Sequence, residues 1–324
     1  MDLHKQLTKL FSSRKGVNRR MWLDIDASRQ EIWVSGRKGR APPLLIVQAG
    51  PGLPLLNEAP RFRQLLDFEK DFTVCYWDQR GCGRAASGDV DTLSLDRQIA
   101  DVRHMIALLH TVSGQKVHVL GISMGATYSL IAAQSMGDAI ASVTAIAPDV
   151  DIHAGDAAVA DRLQRINDQQ ADRALSKRLA KLGPLPYVTA QKFQARAQIL
   201  TDLGLIEYGK RFGDLLLILL GSLLQGYGLG GAFRAIGNLG RVQNRLLPPI
   251  DDINLMGDLD TLQAPVHFVL GEHDAFIADA VVGYLETLTA SGPHSLTFVP
   301  NAAHMAHFDA PAEVAAIVRS RVQA

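Results

Sequence analysis

Short apolar runs that alternate with amphipathic stretches constrain this chain more than any other feature. "LLIVQ" (44–48) stops at Gly50-Pro51-Gly52, and "FTVCYW" (72–77) stops at Asp78-Gln79-Arg80-Gly81. "VHVLG" starts at Val117, "SVTAIAP" at Ser142, "VHFVL" at Val266 and "SLTFV" at Ser295. Apolar runs of this length, closed by turn formers, read as strands buried on both faces. The stretches between them have helical spacing. "EAPRFRQLLDF" is one, and 93–110, with Ile99, Val102, Ile106 and Leu109 on one side, is another. Further helices are expected from near Ser123 and over about 312–322. "MWLDI" and "EIWVSG" flank "DASRQ" and read as an antiparallel hairpin. The fold class that follows is α/β, a mostly parallel sheet with helices on both faces.

The alternation breaks between 151 and 250. That segment is first rich in helix formers, passes through "GPLPY", and then turns apolar and glycine-rich. It reads as a helical insertion above the carboxyl ends of the strands, where open α/β sheets bind ligands. The expected organisation is a core of 1–150 and 251–324 with a helical cap of 151–250. At 324 residues the chain can bury a full core for this plan.

Basic and acidic side chains balance at 33 each, so no global field favours nucleic acid or an anionic membrane. Aromatics are few and not interleaved with basic runs, so no nucleic-acid partner is expected. Cys75 and Cys82 make no disulfide framework, and no Cys/His cluster has zinc spacing; neither a metal nor another cofactor is expected. The N-terminal "MDLHKQLTKLFSSRKG" is amphipathic and basic but lacks the apolar core of a secretory signal. The run "LLLILLGSLL" (215–224) is shorter than the ~20 residues of a membrane span. The expectation is a cytoplasmic chain without a membrane span.

In a parallel sheet, chemistry collects in the loops after the strands, and three such loops carry fitting residues. Ser123 follows "VHVL" between Gly121 and Gly125, which leave room for a sharp strand-to-helix turn that exposes its Oγ. Glycines also end strands and serine also caps helices, so the pentapeptide alone decides nothing. Asp274, in "VHFVLGEHDAF", can accept a hydrogen bond from an imidazole and fix its tautomer; Glu272 is its local competitor. "FVPNAAHMAHFDAP" offers His304 and His307, either of which could take a serine proton. The order Ser, Asp, His, each after its own strand, is what joins them. An oxyanion site should accompany them, with one amide from Met124 and another from "QAGPG", at Gly50.

"QAGPG" (48–52), "YWDQRGCGRA" (76–85), "GISMGA" (121–126), "LGPLPY" (182–187), "GEHD" (271–274) and "AAHMAHFDAPAE" (302–313) together resemble the prolyl-iminopeptidase-like branch of the α/β-hydrolases. The resemblance implies Ser123 as nucleophile, Asp274 as acid, and His304 rather than His307 as base, with the Gly50 and Met124 amides as oxyanion hole. It departs at Gln48-Ala49-Gly50, where the family has His-Gly-Gly, so the side chain bracing that turn is changed. Asp78 and Arg80 are expected to lock their loop by pairing and hydrogen bonding, and so to support the site. Prolyl iminopeptidases are expected to hold the substrate's amine with acidic cap residues. Asp202, Glu207 and Asp214 are the acids available, Glu207 the one placed at the substrate, although solvated cap faces explain all three. His118 reads as a satisfied core or sheet-end histidine, His267 and His273 flank the Asp274 loop without a defined role, and Cys82 is secondary to Ser123.

The leading expectation is a cofactor-free serine hydrolase that cleaves a small ester or amide, or a short peptide, through an acyl-enzyme. An aminopeptidase of the prolyl-iminopeptidase type is the first alternative. A ligand-binding or non-hydrolytic member of the same fold is the second. A carboxylate-nucleophile dehalogenase is disfavoured because position 123 is Ser.

Overall fold

The computed structural model describes residues 3–86, 90–290 and 292–321. The strands are β1 (Lys15–Ile25), β2 (Ser28–Lys38), β3 (Pro43–Val47), β4 (Thr73–Trp77), β5 (Val117–Ile122), β6 (Ile140–Ile146), β7 (Val266–Gly271) and β8 (Ser295–Val299). They form one sheet in the order β1-β2-β4-β3-β5-β6-β7-β8. β1 and β2 pair antiparallel, as do β2 and β4; from β4 to β8 every neighbouring pair is parallel. The hairpin is tighter than the sequence suggests. Asp26 and Ala27 alone make the turn, both with positive φ (44° and 60°), and Ser28 already faces Ile25 in the ladder. Two positive-φ residues match the twist of the flanking strands, so "SRQ" joins the strand rather than the link.

The unbroken apolar runs exist because both faces of the sheet are covered. Leu45, Val47, Cys75, Trp77, Val117 and Val119 pack on one side, with the helices Leu95–Ser113 and Met124–Ala133. Leu44, Ile46, Val74, Tyr76, Leu120 and Ile122 pack on the other, with Ala59–Leu65 and Pro311–Ser320. Within β3 and β4 the alternation has the period of two that a pleat imposes. Local capping sets the helix limits: Ser94 Oγ accepts from Arg97 N at 3.2 Å, and Gly114 ends that helix with φ 67°. The last helix ends at Ser320, and Val322 lies outside the described residues.

Between β6 and β7 run four α-helices, Ile152–Gln170, Arg173–Leu182, Ala190–Asp202 and Phe212–Asp251. The fourth corrects the sequence reading. The apolar stretch does not stop at Leu224: the helix runs on through Gly226 and resumes after a kink, and 212–233 is long and apolar enough to cross a membrane by length and composition. Gly228, with φ 67° and ψ 178°, kinks it into two arms. It is tied to the body near that kink: Arg20 donates to Gly226 O at 2.8 Å, and Tyr227 Oη–H donates to Asp78 Oδ2 at 2.6 Å.

Candidate active site

Ser123 occupies the turn between β5 and the helix Met124–Ala133 with φ 50° and ψ −126°. A non-glycine residue there is strained, and persists only where its surroundings dictate it. Its N–H donates to Ile146 O at 2.8 Å, and its carbonyl accepts from Ala126 and Thr127. The flanking glycines are required by space. A Cβ at Gly121 would overlap Ala126 Cα, and one at Gly125 would overlap the carbonyl oxygens of Val47 and Gln48. The turn therefore sits directly against the end of β3.

His304 lies 2.9 Å from Ser123 Oγ through Nε2 and 3.0 Å from Asp274 Oδ2 through Nδ1. With the proton on Nδ1, Nδ1–H donates to the Asp274 carboxylate and Nε2 is left to accept from the serine hydroxyl. Asp274 is itself fixed, since its Oδ1 accepts from Phe276 N at 2.9 Å. Burial pushes the His304 imidazolium down, but the Asp274 charge and hydrogen bond, with the Asp149 charge, outweigh it and hold the pKa above the usual value. His307 is not brought to the serine. It is buried, stacked on Phe62 (5.2 Å between centroids), and burial with the Arg61 and His304 charges holds it well below the ordinary histidine range.

A cavity of about 590 Å³ lies over Ser123 and His304, also lined by Gln48, Gly50 and Met124. Met124 is the first residue of its helix, so its N–H has no acceptor within the helix. Gln48 does brace the turn: its Oε1 accepts from Ala49 N at 3.1 Å, and its Nε2 donates to Pro54 O at 3.4 Å. Asp78 accepts from Leu55 and Leu56 N–H, both at 2.8 Å, and so holds the far side of the same loop. Arg80 does not pair with Asp78 but with Asp101, away from the cavity. The remaining wall is mostly apolar and comes largely from 187–250, including Phe193, Leu215, Leu219 and Leu239.

A family described as alpha/beta hydrolase fold matches residues 42–311. The chain belongs to that family. A curated relative, the probable aminopeptidase YbaC of Bacillus subtilis (strain 168), is 23% identical over 296 residues, 89% of this chain and 91% of its own length. A solved proline iminopeptidase-related protein from Thermus thermophilus superposes with TM-score 0.65 at 18% identity, covering 95% of this chain and 98% of its own. E-2-(acetamidomethylene)succinate hydrolase superposes with TM-score 0.63 at 19% identity, covering 95% and 100%.

The acids of this α/β hydrolase are sorted by the fold. Glu207 lines the cavity, yet its carboxylate is taken up by Arg61 (2.7 and 2.5 Å) and Lys210 (2.5 Å). Burial pushes its pKa up, and these cations more than reverse that. Asp202 pairs with Arg178, and Asp214 caps its helix by accepting from Arg211 N; neither lines the cavity. The sequence reading missed Asp149, which follows β6 and places Oδ2 3.5 Å from Ser123 Oγ. Burial raises it to about 6 despite the nearby His304 charge. Glu58, also on the cavity, is raised by burial to about 7. Inspecting the loop after "SVTAIAP", like the loops after the other strands, would have found Asp149. The paired Asp156 and Arg196 complete the polar lining near the serine.

The other candidates are structural. His118 Nδ1 meets Ser142 Oγ at 2.9 Å, and His267 Nε2 meets Thr297 Oγ1 at 2.8 Å. His273 stacks on Tyr208. Cys82 is fully buried, its thiol pushed far up by burial and by Asp78, so it holds no thiolate to compete with Ser123. Among the described residues no cluster of His, Cys, Asp or Glu could hold a metal ion.

Proposed function

We propose that this chain is a serine hydrolase that cleaves a small ester or amide through an acyl-enzyme. The observation that carries the proposal is the contact chain from Ser123 Oγ through His304 to Asp274, at 2.9 and 3.0 Å. His304 takes the serine proton as Oγ attacks the acyl carbonyl, and Asp274 steadies the imidazolium that forms. The Gly50 and Met124 amides receive the charge on the carbonyl oxygen. His304 then returns its proton to the leaving group, and water repeats the sequence on the acyl-enzyme. Residues 151–250 serve as a cap on the core of 1–150 and 251–324. Its apolar wall favours an uncharged, apolar substrate, and we place the chain in the cytoplasm.

A second reading, aminopeptidase action, is favoured by Glu58 and Asp149, two cavity carboxylates outside the ion pairs that occupy Glu207 and Asp156. A fluorophosphonate should label Ser123 stoichiometrically, and p-nitrophenyl butyrate should turn over faster than prolyl arylamides. The reverse preference would select the aminopeptidase reading, and absence of both labelling and turnover would remove the hydrolase reading.

The pH dependence follows from the His304 environment. The base must be neutral, so a raised pKa means activity gained as pH rises and lost as it falls. The kcat/KM of an uncharged ester should rise through a midpoint above 6.5, the ordinary histidine value. Asp149→Asn removes a charge that raises His304, so its midpoint should move down in the same pH–rate profile. An unmoved midpoint would show that Asp149 does not act on His304.

A further inference from the structure

The helix Phe212–Asp251 is apolar toward the cavity and toward water at once. Leu215, Leu216, Ile218 and Leu219 line the cavity, while Leu217 between them is 74% exposed, and Leu220 and Leu224 are exposed with it. Beyond the kink at Gly228, Leu229, Phe233 and Ile236 are exposed as well, Phe233 at 74%. The spacings 217, 220, 224 and 229, 233, 236 put each trio on one face of its arm. An apolar surface of this extent marks an interaction site.

Charge and continuity say which partner it fits. Within 212–233 the only charged residue is Asp214, and its carboxylate is turned back onto Arg211 N at 3.0 Å. Arg234 also falls within the stretch by sequence, and exposed cations stand at either end of it, Arg211 before and Arg241 after. An apolar face between cations matches acyl chains beneath anionic headgroups. A second copy of this chain fits worse, because antiparallel pairing of the face with itself would set cation against cation at both ends. Leucines of the same turns also form the cavity wall, so the apolar surface continues from the exterior to the chamber over Ser123. The helix cannot span a bilayer while Gly226 and Tyr227 are bonded to Arg20 and Asp78.

We propose that this helix docks the protein on an anionic lipid surface, lying in the interface plane with Leu217, Leu224, Leu229 and Phe233 toward the acyl chains. The test is flotation of the full chain with phosphatidylcholine vesicles, with and without phosphatidylglycerol. The chain should float with the anionic vesicles, and roughly tenfold less with the neutral ones or in ~0.5 M salt. Combining Leu217→Gln, Leu229→Gln and Phe233→Gln should reduce flotation by at least about tenfold, leaving the rate on a soluble short ester unchanged. The Ser123→Ala protein should float as the wild type does, so docking and the serine-hydrolase reading fail separately. Wild type that stays with neither vesicle, or a triple variant that still floats, overturns the proposal. A dimer seen by light scattering that the triple variant dissolves, without flotation, would assign the face to a second copy instead.

Discussion

Ser123→Ala should lower kcat on p-nitrophenyl butyrate by about 10⁴-fold or more, which corresponds to ~5 kcal/mol of lost transition-state stabilisation. Alanine keeps the Cβ but offers no oxygen to acylate. The cavity and the Gly50 and Met124 amides persist, so binding and a residue of electrostatic catalysis should remain. Folding should not suffer: the strained φ of 50° is imposed by the Ile146, Ala126 and Thr127 hydrogen bonds, which use backbone atoms that alanine also has. Circular dichroism and the thermal midpoint are the checks. His304→Ala should cost a similar factor, because serine and base act as a unit. His307→Ala is the control, since His307 stacks on Phe62 without reaching the serine. If His307→Ala abolished turnover and His304→Ala did not, the assignment of the base would be overturned.

The strands β3 to β7 were readable in the sequence because they are buried on both faces and therefore almost continuously apolar, as "LLIVQ" and "FTVCYW" are. "SLTFV" differs from that reading, because β8 lies at the edge of the sheet and is only partly buried, with Phe298 exposed. The loops that carry Ser123, Asp274 and His304 were readable because a parallel sheet delivers the loops after its strands to one edge, whatever their separation in sequence. The choice of His304 over His307 came from the family resemblance alone. Asp149 obeys the same rule and went unread only because its strand carried no motif. The lining contributed by 151–250 was not readable in the same way. Whether Glu207 is an amine ligand depends on Arg61, 146 positions away, and whether Arg196 is free depends on Asp156 across two helices. These pairings come from how helices cross, which periodicity does not encode. The glycines after Leu224 misled for a local reason. Glycine lowers helix propensity, yet packing against the body holds the helix through Gly226, whose missing side chain lets it rest on Asn57.

Asp101→Ala should destabilise the protein by about 3–5 kcal/mol, the largest stability effect expected of a residue outside the cavity. Arg80 and Asp101 are each 2% exposed and meet in a fork, Nε to Oδ2 at 2.8 Å and Nη2 to Oδ1 at 3.0 Å. The same Oδ2 accepts from Gln30 Nε2 at 2.8 Å, and Gln30 Oε1 in turn accepts from Trp77 Nε1 at 2.8 Å. Arg80 also donates to Ile25 O at 2.9 Å, so the network joins the hairpin end, β4 and the helix Leu95–Ser113. Removing the carboxylate leaves the guanidinium buried without its counter-charge and the Gln30 amide without an acceptor, and both costs add. Arg37→Ala is the contrast: its ion pair with Asp67 is 63% and 37% exposed, and its loss should change stability by less than about 1 kcal/mol. Urea midpoints at unchanged m-value measure both. The cause is separable from lost packing. Arg80→Met combined with Asp101→Leu removes both charges at similar volume and should recover much of the Asp101→Ala loss. A double variant as unstable as Asp101→Ala would mean that the hydrogen bonds to Ile25 and Gln30, rather than the stranded charge, hold this corner together.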